Sequence, residues 1–140
     1  MENQKLRKQN KIWISINYLS LITGILLFYI VKNHHMPLTI LWFEVGIIAV
    51  LLVSFYKAFI ITKFWKMVHT SSKDLDEREM QVVLNALRYA YSIFAIICII
   101  IIYAFAIAEN QPIDVVLAGG LLYFAHILPV GIVGWNEKNN

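Results

Sequence analysis

The sequence predicts an all-α integral membrane protein: a four-helix transmembrane bundle with a helical hairpin extending into the cytoplasm between helices 2 and 3. Three observations predict it. Hydrophobic residues make up 59% of the 140-residue chain and charged residues 15%, against roughly 45–50% and 25% in soluble domains. Mean hydropathy is +0.65, more apolar surface than a soluble fold of this size buries. The apolar residues also gather into four long runs separated by polar segments. Disordered chains are polar and charge-rich, so that class is excluded. The length suits a single transmembrane domain covering residues 1–140.

A spanning helix needs about 20 apolar residues, each adding about 1.5 Å across a hydrocarbon core about 30 Å thick. The runs at about 12–31, 38–56, 89–108 and 115–135 qualify. They read as helices, because lone strands leave backbone polar groups unsatisfied in lipid. A small barrel would show alternating segments of about ten residues. The first run has a basic prefix but is longer than a signal-peptide core and is followed by Lys32, Asn33, His34 and His35. It reads as a retained helix.

Orientation follows from Lys and Arg. Of the 12 in the chain, all but Lys32 fall in the N-terminal segment, the segment between spans two and three, or the C-terminal tail at Lys138. This bias places both termini and the middle segment in the cytoplasm, in a bacterial-type inner membrane. Trp13, Trp65, Tyr89, Tyr91 and Trp135 then fall at the inner interface, and Tyr29 and Trp42 near the outer one.

The segment 57–88 is the least lipid-like. Ala58, Ile60, Ile61, Phe64 and Met67 continue the apolar pattern of span two, with Lys57, Lys63 and Lys66 interleaved. Asp74 and Asp76 each precede a Glu by three residues, at Glu77 and Glu79. That is capping-box spacing, and carboxylates in a first turn suit the helix dipole. Met80, Val83, Leu84, Leu87 and Tyr91 follow on one helical face. A soluble amphipathic helix is therefore expected from near Asp76, entering the membrane after Arg88. Paired with the extension of span two, it makes the hairpin, with Lys63 and Lys66 available to its acidic start. Lys63, Lys66, Asp74, Asp76, Glu77, Arg78, Glu79 and Arg88 are the candidate partner-binding residues. The plainer reading is a capped helix and solvated charges, each exposed pair contributing at most about 1 kcal/mol. The same basic residues also suit anionic lipid.

Four short spans with the string Leu75, Asp76, Glu77, Arg78, Glu79, then Arg88, Tyr89 and Tyr91, resemble small uncharacterised bacterial and archaeal membrane proteins. The resemblance implies the four-span topology and no activity.

Two ionisable residues lie inside the spans, where such residues are candidate functional groups. Glu44 is about 9 Å into span two at 1.5 Å per residue. An unpaired buried anion is costly, so a neutral acid hydrogen-bonded to Tyr29 or Tyr103, or one turned toward the headgroups, is the structural expectation. The functional one is a proton or cation-substrate site. Small multidrug transporters also combine four short helices with a membrane Glu, but theirs lies in the first span, which has none here. His126 precedes Pro129, which frees carbonyls near Ala125. It is expected to donate to such a carbonyl, or to Ser20 or Thr23 of span one. A bis-His haem is excluded, because His34, His35 and His69 fall in loops.

Ser20-x-x-x-Gly24, Ser54-x-x-x-Ala58 and Ala86-x-x-x-Ala90 have the spacing that lets membrane helices approach closely, consistent with a packed bundle or a homo-oligomer. The isoleucine run at 96–102 reads as lipid-facing all round. One cysteine, Cys98, makes no intramolecular disulfide or CxxC pair. No GxSxG, HExxH, Walker or GxGxxG string occurs. Glu109 and Asp114 read as solvating loop carboxylates. No enzyme activity, cofactor, metal or nucleic acid is expected. The leading expectation is a small membrane protein that regulates, anchors or assembles a cytoplasmic or membrane partner through the hairpin. The alternative is a small oligomeric proton-coupled transporter or pore using Glu44, with Tyr103 and His126 as further intramembrane polar candidates.

Overall fold

The structure is a computed structural model, and it describes residues 2–34, 37–108 and 113–136. His35, Glu109, Pro112 and Lys138 lie outside the described residues. Among the described residues every regular element is helical: α1 (Glu2–Asn33), α2 (Trp42–Phe55), α3 (Phe64–His69), α4 (Glu77–Ala108) and α5 (Val115–Asn136). Helices over Gln4–Asn33, Trp42–Ile60, Glu77–Ala108 and Val115–Asn136 are long and apolar enough to cross a membrane. This composition is that of a multi-pass membrane protein. The chain divides into two units, one built on Met1–Lys63 and the other on Phe64–Asn136.

In the first unit α1 and α2 form a helical pair. The contact face of α1 carries Ile14, Asn17, Gly24 and Val31, and that of α2 carries Glu44, Ile47, Leu51 and Ser54. Both sets follow the alternating three- and four-residue spacing that keeps one seam of a helix against its neighbour. Pro37 ends the connection and leads into a 3₁₀ turn at Leu38–Leu41, so α2 proper starts four residues later than the apolar run.

The end of span two departs from a continuous helix. Tyr56–Ile60 is a π-helical turn, in which the Ile61 N–H donates to the Tyr56 carbonyl five residues back at 3.0 Å. The wider turn admits Ala58 and Phe59, both fully buried, with Phe59 edge-on to Phe55 at 5.5 Å between centroids. The last carbonyls are then taken up locally. Thr62 Oγ1 donates to the Ala58 carbonyl (2.7 Å), and the Lys63 N–H to that of Ile60 (3.0 Å). Lys63 has φ of 63°, the left-handed conformation that stops helices. The extension expected through Met67 is therefore interrupted, and α3 is a separate six-residue helix.

In the second unit α4 packs on α5, and α3 packs on both. Val83, Ala86 and Ala90 are the buried face of α4, and Phe94 meets Phe124 of α5 at 6.4 Å between centroids. The small pair Ala86 and Ala90 allows this approach. Pro129 sits inside α5 within a buried stretch that includes Ile127, Val130, Gly131, Val133 and Gly134. Ile96, Ile99, Ile100 and Ile102 are exposed as expected, while Ile97, Cys98 and Ile101 are half-buried.

Candidate functional site

Three places gather polar side chains or unpartnered surface. The first is the middle of the α1–α2 seam. Asn17 is fully buried, and its Nδ2 donates to the Leu51 carbonyl and to Ser54 Oγ, both at 3.0 Å. Ser54 Oγ donates in turn to the Leu51 carbonyl at 2.9 Å. It is a polar contact between the two helices, a role the sequence suggests for Glu44 and His126 instead. His126 is exposed, and its Nδ1–H donates to the Leu122 carbonyl of its own helix at 2.8 Å. Ser20 likewise donates back to Ile16, at 2.8 Å. The acceptor is the Leu122 carbonyl one turn back on the same helix, not the Ala125 carbonyl that Pro129 frees.

The second place surrounds Glu44. Its side chain turns toward α1: Oε2 lies 3.4 Å from where a Cβ on Gly24 would stand. The missing side chain of Gly24 is what leaves room for the carboxyl. Oε1 is buried and accepts no hydrogen bond among the described residues. Of the two tyrosines expected as partners, Tyr29 lies in the same unit and its hydroxyl makes no hydrogen bond to the carboxyl, which turns toward α1 rather than outward. Tyr29 instead meets Phe28 edge-on at 6.3 Å, and Tyr103 on α4 is 65% exposed. Beside Gly24 the pair carries an open apolar groove of about 700 Å³ between Leu19 and Leu27 of α1 and Phe43, Gly46 and Val50 of α2.

The third place is the start of α4. Asp76 caps it: the Glu79 N–H donates to Asp76 Oδ1 at 2.7 Å, and the Asp76 N–H donates back to Glu79 Oε2 at 3.4 Å. Of the two capping boxes that the spacing allows, this one forms. Asp74 lies in the preceding 3₁₀ turn, Ser72–Asp74. Glu77, Arg78 and Arg88 are exposed, and among the described residues Lys66 makes no ion pair with Asp74, Asp76, Glu77 or Glu79. The apolar face expected here divides in two. Val83 is buried with Ala86 and Ala90, whereas Leu84 (59% exposed), Leu87 and Tyr91 (77% exposed) form a stripe open to the surroundings. Arg88 lies on that same stripe, one turn from Leu84 and from Tyr91.

α3 is tied to itself. His69 Nδ1–H donates to the Trp65 carbonyl (2.9 Å) with the two rings stacked at 4.1 Å, and Thr70 Oγ1 donates to Lys66 (2.6 Å). Asp114, read as a solvating carboxylate, accepts from the Val116 N–H at 2.8 Å and caps α5. No cluster of three or more His, Cys, Asp or Glu side chains able to hold a metal forms among the described residues.

The chain matches no protein-family model, no curated protein and no solved structure.

Proposed function

We propose that the chain is a small, non-enzymatic inner-membrane protein that anchors, regulates or helps assemble a partner protein, which docks on the first turns of α4. The observation that carries this reading is the pair Leu84 and Leu87, exposed on a part of α4 that a bilayer does not need and continued by Tyr91 at the start of the span. The helix has 32 residues, about 48 Å at 1.5 Å each, against a hydrocarbon core of about 30 Å. Residues 89–108 carry no charge and suffice to span. The excess is 77–88, which holds Glu77, Arg78 and Arg88 beside the apolar stripe. Positive charge on this side of the membrane, as on the N-terminal segment, makes it cytoplasmic. Lys63, Lys66 and Asp74 border the same polar connection. Asp76 and Glu79 serve the cap and are poor probes of binding, since their replacement loosens the helix start.

A photo-reactive amino acid in place of Leu84, activated in intact membranes, is expected to capture a defined protein. Glu77→Gln, Leu84→Ser and Leu87→Ser, tested by co-purification, should each lower recovery of that protein several-fold. Unchanged recovery overturns the docking assignment.

A second reading rests on Glu44, whose Oε1 is buried without a hydrogen-bond partner. Such a group suits a proton-coupled transporter or pore. Under it, Glu44→Gln abolishes flux in proteoliposomes and leaves co-purification untouched, whereas the α4 variants do the reverse.

A further inference from the structure

We propose that the open face of the α1–α2 pair is a binding site for one anionic phospholipid. One acyl chain lies in the groove, and the phosphate sits at the Lys57–Trp13 pair. The groove is lined by Ile16, Leu19, Leu27, Phe43, Ile47 and Val50, and one of its two hydroxyls, that of Ser20, is spent on the Ile16 carbonyl. Its floor is open at Gly46, where an added Cβ would meet no atom within 4 Å. From Leu27 to Ile16 the groove follows α1 for about 16 Å at 1.5 Å per residue, the dimension of a chain rather than of a compact solute.

A basic residue stands beyond one end of this groove. Trp13 stands three residues before Ile16, and Lys57 two helical turns beyond Val50, so both continue the groove-lining faces. The exposed Lys57 holds its Nζ 4.5 Å from the centroid of the Trp13 ring. An ammonium over an indole at the end of an apolar run is matched to the headgroup layer. Lys5 and Lys8, both exposed, lie beyond it on α1. Residues 1–63 contain seven Lys or Arg and two carboxylates, Glu2 and Glu44. Glu2 stands near the start of α1, and Glu44 faces Gly24 far from Lys57. The chemistry that fits an apolar trough with a cationic mouth is a phosphate ester carrying hydrocarbon chains.

The test uses the full chain in dioleoyl-phosphatidylcholine vesicles containing spin-labelled phosphatidylglycerol or spin-labelled phosphatidylcholine. The wild type is expected to prefer the anionic label. Lys57→Gln should lower that preference about five-fold, the equivalent of about 1 kcal/mol per basic residue near an anionic lipid, and Lys57→Arg should retain it. Gly46→Leu fills the floor and should lower the motionally restricted fraction by about one lipid per chain for both labels. Circular dichroism and thermal unfolding in detergent confirm that each variant is folded. An unaltered preference in folded Lys57→Gln overturns the headgroup assignment, and an unaltered restricted fraction in folded Gly46→Leu overturns the groove. Displacement of the label by excess glycerol phosphate would mean that phosphate alone is recognised, and overturns the lipid. A disulfide dimer formed through Gly46→Cys in a Cys98→Ser background, at the expense of bound label, would give the groove to a second copy and overturn it too.

Discussion

Asn17 and Ser54 are separated by 37 positions and share one carbonyl, that of Leu51. In a bilayer such a contact is worth about 0.6 kcal/mol on average and up to about 1.7 kcal/mol, because the separated helices also find partners for their polar groups. Asn17 reaches two acceptors and is fully buried, so Asn17→Ala is expected to destabilise the α1–α2 pair by about 1–2 kcal/mol. Ser54→Ala should cost less, since the Asn17 bond to Leu51 survives. A double-mutant cycle read by unfolding in detergent measures the coupling, and strict additivity would show that the two side chains do not act together. The signal for Asn17 was present: Asn17, Ser20 and Gly24 follow a three-then-four spacing, as do Leu51, Ser54 and Ala58. Asn17 escaped notice because it is not ionisable, and nothing local names its partner. Glu44 was conspicuous for its charge, yet only the close approach at Gly24 shows which way its carboxyl turns.

The turn from α2 to α3 shows the same division at the scale of an element. Between Tyr56 and Thr70 there is no Gly or Pro to mark a stop, and apolar residues recur through Met67. A continuous helix is the natural reading. The structure instead widens into a π turn and closes on Lys63 in the left-handed region, which costs an L-residue roughly 1–2 kcal/mol. Lys63→Gly removes that cost and is expected to leave stability equal or slightly higher. Lys63→Val should lower it by about 1–2 kcal/mol or more, because a β-branched side chain tolerates positive φ poorly. Thermal unfolding of the two variants decides it, and equal stability would mean that the turn has rearranged. The start of α4, by contrast, was legible to within one turn, since a capping box is complete within four residues, and the structure chose Asp76 and Glu79 over Asp74 and Glu77. The apolar face after it was legible only in part. Leu84 and Leu87 share periodicity with Val83, but the small Ala86 and Ala90 let α5 approach on their side and leave the leucines exposed.

Charge is distributed unevenly over the whole molecule. Residues 1–63 hold seven basic and two acidic residues, and residues 64–136 hold four basic and six acidic ones. The large exposed apolar side chains, from Leu19 and Phe43 to Ile100 and Leu122, need a hydrocarbon surrounding. In a Cys98→Ser background, single cysteines at Lys5 and Lys73 are expected to react with a membrane-impermeant maleimide only from the cytoplasmic side, and one at Ile113 only from the opposite side. Labelling of Lys5 and Lys73 from opposite sides would overturn the orientation. Composition and run length determined the helical class and the four helices long and apolar enough to cross a membrane, and a four-residue pattern determined the capped start of α4. These depend on transfer of apolar groups into lipid and on bonds within a few residues, both of which are properties of local sequence. The tertiary structure alone decided which polar side chain joins α1 to α2, where α2 stops, which face of α4 stays open, and that an apolar groove opens between α1 and α2. All but the stop of α2 depend on how closely two helix backbones approach, and small residues such as Gly24, Ala86 and Ala90 set that distance.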